Sequence, residues 1–130
     1  MACPFFDPAA PFTWVEWPNP PRMPLGDPHR GRCTAEGGEA ADPHVRSCCN
    51  TGYARGQCPR FPGGDAADAV RFGIVKRHAG VATVEYVIER NHYPFGHGEL
   101  QLTEAAHAAD GTLLERQARA FLSSYLRRNP

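Results

Sequence analysis

The sequence predicts an α+β fold, on three observations. Thirteen prolines and thirteen glycines occur in 130 residues, and the excess is concentrated before residue 65, where it breaks up regular structure. After residue 65, two apolar/polar alternating runs follow each other across a short turn. The chain then ends in a run of apolar residues at helical spacing. A chain of this length forms one domain. We divide it into a Cys/Pro/Gly-rich half, residues 1–64, and a half carrying a small antiparallel sheet of about three strands covered by a C-terminal helix, residues 65–130.

In the first half, Pro4, Pro8, Pro11, Pro18, Pro20, Pro21, Pro24 and Pro28 each fix φ and remove a backbone donor, which predicts an irregular, polyproline-like wrap. Phe5, Phe6, Phe12, Trp14, Trp17 and Leu25 are interleaved with them. Aromatics at that density call for burial, unlike a linker. Residues 34–43 read as a solvent loop.

In the second half, Val70, Phe72 and Ile74 alternate along one strand, and Ala82, Val84, Tyr86 and Ile88 along the next, with Glu85 and Glu89 facing outward. His78-Ala79-Gly80 is the turn between them. Asn91 to Gly98 reads as a loop and Glu99 to Thr103 as a third strand. Thr103 to Ala109 is a candidate short helix. The final helix starts at Thr112, which with Glu115 has capping-box spacing, and runs through Leu113, Leu114, Ala118, Phe121, Leu122, Tyr125 and Leu126 to Arg128.

With 14 basic and 14 acidic residues the net charge is zero, so no overall field draws the chain to nucleic acid or an anionic surface. The arginines of the last helix read as part of a mixed solvated surface. The N-terminus lacks a secretory pattern and no run is long enough to span a membrane, which predicts a cytoplasmic protein. In that compartment clustered cysteines bind metal more often than they form disulfides.

The five cysteines are Cys3, Cys33, Cys48, Cys49 and Cys58. An odd number suits four ligands and a spare. The intervals contain no close C-x2-4-C pair of the kind structural zinc sites use. An iron–sulfur cubane takes ligands from distant loops and recruits glycine-rich backbone, and Gly52 and Gly56 fit a loop arching from Cys49 to Cys58. Cys3-Pro4 and Cys58-Pro59 resemble the last ligand of bacterial ferredoxins, also followed by proline, although the ferredoxin C-x2-C-x2-C run is absent. That resemblance implies a thiolate-ligated cluster. The expected ligands are Cys3, Cys33, Cys49 and Cys58, the cofactor a [4Fe-4S] cluster, and Cys48 the spare, with Trp14, Trp17, Tyr53 and Phe61 as shield. The irregular half then holds this Cys-ligated cofactor, and residue 3 must return beside residue 58.

The function expected is electron transfer or redox sensing with a redox partner protein. The alternative is a zinc-stapled interaction module without redox chemistry. His29 and His44 are reserve ligands, and His92 and His97 flank a loop with no fixed geometry. No nucleotide-binding, nucleophile-elbow or H-E-x-x-H motif is present, which argues against an enzyme. A thiol–imidazole pair between Cys48 or Cys49 and His78 or His92 is the remaining catalytic option.

Overall fold

The structure, a computed structural model, describes residues 2–19, 23–35, 37–64, 67–105 and 111–129. Its elements are β1 (Phe6–Pro11), β2 (His29–Cys33), α1 (Asp42–His44), a π-helical turn (Val45–Cys49), β3 (Ala69–His78), β4 (Val81–Arg90), β5 (Tyr93–Thr103) and α2 (Leu113–Arg128). One sheet has the order β3-β4-β5 and the other pairs β1 with β2, all antiparallel. The α+β expectation, with a small sheet covered by the last helix, is therefore met.

Both turns of the three-stranded sheet have two residues at positive φ, 51° and 77° at Ala79 and Gly80, and 53° and 66° at Asn91 and His92. That backbone matches the right-handed twist of hairpin strands. Gly80 and Asn91 adopt it readily. His92 is held there by stacking on Tyr53, with ring centroids 4.1 Å apart.

β5 begins six residues earlier than the sequence suggests, at Tyr93. Pro94 is tolerated because β5 is an edge strand, whose outer side needs no donors. Gly98 is not a loop glycine: a Cβ there would lie 2.5 Å from the Tyr86 hydroxyl oxygen on β4. The candidate helix at 103–109 is replaced at its start by the end of β5, and its residues 106–109 lie outside the described residues.

α2 crosses this sheet. Ala82, Val84, Leu102, Ala118 and Leu122 form the core between them, with Phe72, Ile74, Leu100 and Phe121 packed around it. The capping box is formed: Thr112 Oγ1 accepts from the Glu115 backbone N–H, and the Thr112 N–H reaches back to the Glu115 carboxylate.

The first half is more regular than its prolines suggest. β1 and β2 pair from Phe6↔Cys33 to Pro11↔His29 with a bulge between Pro8 and Ala10. Pro8 and Pro11 lie on β1, at the edge of this pair, where proline is admissible. Gly31 is required here, since a Cβ would sit 2.0 Å from the Asp7 carbonyl oxygen. Within the expected loop, Glu39 bridges to Arg32 and Asp42 opens α1.

The halves are stitched together. Ala2 and Val70 exchange backbone hydrogen bonds of 2.7 and 2.9 Å, and the Tyr53 N–H donates to the Asp68 carbonyl. Gln117 of α2, fully buried, donates from Nε2 to the Cys3 and Phe6 carbonyls at 2.9 and 2.7 Å. Glu89, expected to face outward, is buried, because Tyr53 donates its hydroxyl to it at 2.5 Å and Arg71 pairs with it at 3.1 Å.

Candidate metal centre

All five cysteines line one small cavity. Cys3 comes from the segment before β1, Cys33 from the end of β2, Cys48 and Cys49 from the π-turn, and Cys58 from the loop that follows. All five are free thiols. Cys3 thus comes beside Cys58, as the sequence demanded. Phe5, Phe6, Ala54, Phe61 and Pro62 complete an apolar wall, with Phe5 and Phe61 in edge-to-face contact at 5.5 Å. The space open to the centre of a water-sized sphere is about 20 Å3, room for a single water-sized atom.

Each thiol is set by a local device. The chain reverses direction at Phe6, whose N–H donates to the Cys3 carbonyl at 3.1 Å, and the Cys3 N–H donates to the Cys49 carbonyl at 3.0 Å. Cys33 is fixed by its N–H to the Gly38 carbonyl. The Cys58 N–H donates to the Ala54 carbonyl at 2.7 Å in a loop strapped by Arg55, which bonds the Pro62 and Gly64 carbonyls and the Asp68 carboxylate.

The π-turn explains why adjacent cysteines share the cavity. An α-helix separates consecutive side chains by about 100°; the wider i→i+5 turn reduces this to roughly 80°. Asn50 locks the turn. Its side chain receives the His29 N–H at 3.0 Å and donates to the His29 and Val45 carbonyls at 3.0 and 3.1 Å, fully buried. Cys48, expected to be spare, therefore stands at the same cavity as the other four, with its sulfur 3.5 Å from the Ser47 hydroxyl.

Burial pushes the Cys3 thiol up to about 11 and the Cys49 thiol up to about 12, with repulsion from the neighbouring cysteines adding to both. The Phe5 backbone N–H opposes this at Cys3 by hydrogen-bonding its sulfur. At neutral pH these two thiols are protonated and poor nucleophiles. This removes support from a catalytic thiol at Cys49. Among the described residues, no three Cys, His, Asp or Glu side chains are arranged to hold a metal ion.

The shield differs from expectation. Phe61 is present, joined by Phe5 and Phe6, but Trp14 is 67% exposed and Trp17 packs on Phe12 with centroids 5.4 Å apart. Tyr53 points to Glu89 and His92 instead. His29 is buried in β2 and held through its backbone by Asn50; like His78, His92 and His97, it does not line the cavity. Nothing is described of the His44 side chain. Phe5 and Phe6 were readable as buried aromatics beside Cys3, but only the chain reversal makes them walls of the site.

No protein-family model matches the chain, and comparison with curated proteins and with solved structures gives no match. No helix among the described residues is long and apolar enough to cross a membrane.

Proposed function

We propose that this protein holds an iron–sulfur cluster, of the [4Fe-4S] type, on Cys3, Cys33, Cys49 and Cys58, and that it acts in electron transfer or redox sensing with a protein partner. The observation that carries this reading is the convergence of five cysteines from four separate segments on one apolar cavity. Buried thiols at this density contribute little as hydrophobes. They become thiolates only when a cation compensates the charge, because a coordinating metal deprotonates its thiol outright.

A tetrahedral zinc site with Zn–S bonds of ≈ 2.3 Å brings its sulfurs within about 3.8 Å of each other. The chain lacks the close C-x2-4-C pairs that such sites use, whereas a cubane takes thiolates from separate segments, and this favours the cluster over a single ion. The small free volume means that loading moves the walls outward. Cys33 and Cys58, the two partly exposed thiols, lie where such movement is cheapest. The zinc-stapled module remains the competing reading and uses the same cysteines.

In this role the Phe5 N–H on the Cys3 sulfur stabilises the thiolate, and the phenylalanine wall excludes water, both of which tune a potential. Cys49 is preferred to Cys48 because Cys48 has a hydroxyl neighbour in Ser47.

Anaerobic reconstitution with iron and sulfide tests the proposal. A broad absorption near ~400 nm that bleaches reversibly on reduction is expected, retained in Cys48→Ser and lost in Cys49→Ser. A colourless product in the wild type would refute it.

A further inference from the structure

A groove of about 520 Å3 lies between β1 and α2 and shares no described lining residue with the cysteine cavity. That volume falls within the usual range of small-molecule pockets, about 300–1,000 Å3. One stripe of α2 supplies its floor. Arg116, Arg119, Ala120, Ser123, Leu126 and Arg127 recur at intervals of one, three or four residues and all line it. This spacing keeps them on one side of a helix.

Among the described residues the lining contains three guanidinium groups and no acidic side chain. The carboxylates nearby act from outside as struts. Asp7 receives Arg116 Nε at 2.9 Å, and Arg116 Nη1 donates to the Gly111 carbonyl. Asp27 receives Arg127 Nη2, which also reaches the Ser124 hydroxyl. Among the described residues these bonds leave Nη2 of Arg116 and Nε and Nη1 of Arg127 uninvolved. They fix both forks in place, so less side-chain freedom is lost when a ligand binds. Arg119 is anchored through Nη1 to the Thr103 carbonyl.

The rest of the lining is apolar or neutral. Pro8, Pro11, Ala120 and Leu126 form a hydrocarbon wall, and Ser123 adds a hydroxyl. His29 lines the inner side, buried, with its Nδ1 lacking a hydrogen-bond partner among the described residues. Burial lowers its basicity, against the pull of the Asp27 carbonyl and carboxylate, so it stands there as neutral imidazole.

We infer that this groove binds a small organic oxyanion, a phosphate or carboxylate on an apolar body, with the oxyanion on Arg116, Arg119 and Arg127 and the body against Pro8, Pro11 and Leu126. Planar guanidinium forks match the two oxygens of either group. The proline wall gives a bare inorganic ion nothing to bury against, and so selects an organic one.

The test is a titration of the full chain with phenyl phosphate, benzoate and inorganic phosphate, followed by NMR of the arginine Nε–H and backbone amide signals. Saturable shifts confined to α2 and β1 are expected with phenyl phosphate or benzoate, and whichever of the two binds tighter names the oxyanion. Inorganic phosphate should bind at least tenfold more weakly. Ala120→Glu and, separately, Ser123→Glu put a carboxylate in the groove from partly exposed helix positions, and each should weaken binding at least tenfold while melting as the wild type does. No saturable shift with either organic anion, shifts scattered over the surface, or binding unchanged in a folded Glu variant would overturn the assignment.

Discussion

Between the sheet and α2 the core consists of Ala82, Val84, Leu102, Ala118 and Leu122, whereas under β1 and β2 it consists of Ala2, Phe6, Phe12, Leu25 and Val45 together with the thiols of Cys3 and Cys49. The first core is assembled by repetition. Alternate strand residues and helix residues three and four apart arrive at one layer because their backbones are periodic. The second is assembled by individual fastenings: Asn50 on the His29 backbone, Gln117 on the Cys3 and Phe6 carbonyls, and the π-turn that brings two adjacent thiols to one cavity. A core built from hydrocarbons is complete when the chain folds. On the proposed reading, the core that includes the Cys3 and Cys49 thiols gains its remaining stability from the cluster they ligate.

The largest expected effect separates the two cores directly. On the proposed reading, Cys3→Ser abolishes cluster loading and loosens the first half, while β3–β5 and α2 persist. Hydrogen exchange should show protection lost in β1, β2 and the π-turn and retained in β4 and α2. Uniform loss of protection would mean that the two cores are one cooperative unit.

Leu122→Ala attacks the other core. The side chain is 1% exposed, and truncation there should cost about 2–5 kcal/mol in urea unfolding without lowering the metal content per folded chain. A fall in metal content would show that the sheet core positions the thiols.

Gln117→Leu cuts the link between them. The Phe6 carbonyl loses the Gln117 donor and the Cys3 carbonyl is left with the Phe6 N–H alone, at a cost of about 1–3 kcal/mol, and the Cys3 segment loses its anchor to α2. Thiol labelling should then become faster at Cys3 than at Cys58.

The smallest effect concerns Asp68, which accepts the Asn91 N–H at 2.9 Å and Arg55 Nε at 2.7 Å and so ties the cysteine loop to the β4–β5 turn. The Asn91 N–H first, and Arg55 after it, hold its carboxyl below the ordinary carboxylate range. Its folded pKa is thus lower than its unfolded one, so the stabilisation is full above about pH 4 and fades as pH falls through the depressed value. Asp68→Asn should flatten the urea midpoint against pH between about pH 5 and 3. An unchanged slope would place the acid sensitivity elsewhere.

The sequence made the periodic core readable and the fastened one only partly so. Thr112, Glu115 and the apolar spacing of α2 marked the helix, and the alternation from Val70 to Ile88 marked the hairpin. β1 was hidden because Pro8 and Pro11 argue against a central strand but not against an edge. The first half of β5 is hidden because Gly98 has the look of a loop glycine, whereas it makes room for Tyr86. The burial of Glu89 depends on Tyr53, 36 residues away, and no local pattern signals such a pair. The cysteines showed that a site existed, and the return of residue 3 to residue 58 followed from needing four ligands. That Cys48 joins them depends on a π-turn, which leaves no mark in hydrophobic periodicity.

The most direct test of the central claim is a count of iron, acid-labile sulfide and zinc in the anaerobically purified chain. A cluster on these cysteines predicts about four irons and about four sulfides per chain, with negligible zinc. One zinc per chain, or no metal at all, would contradict it.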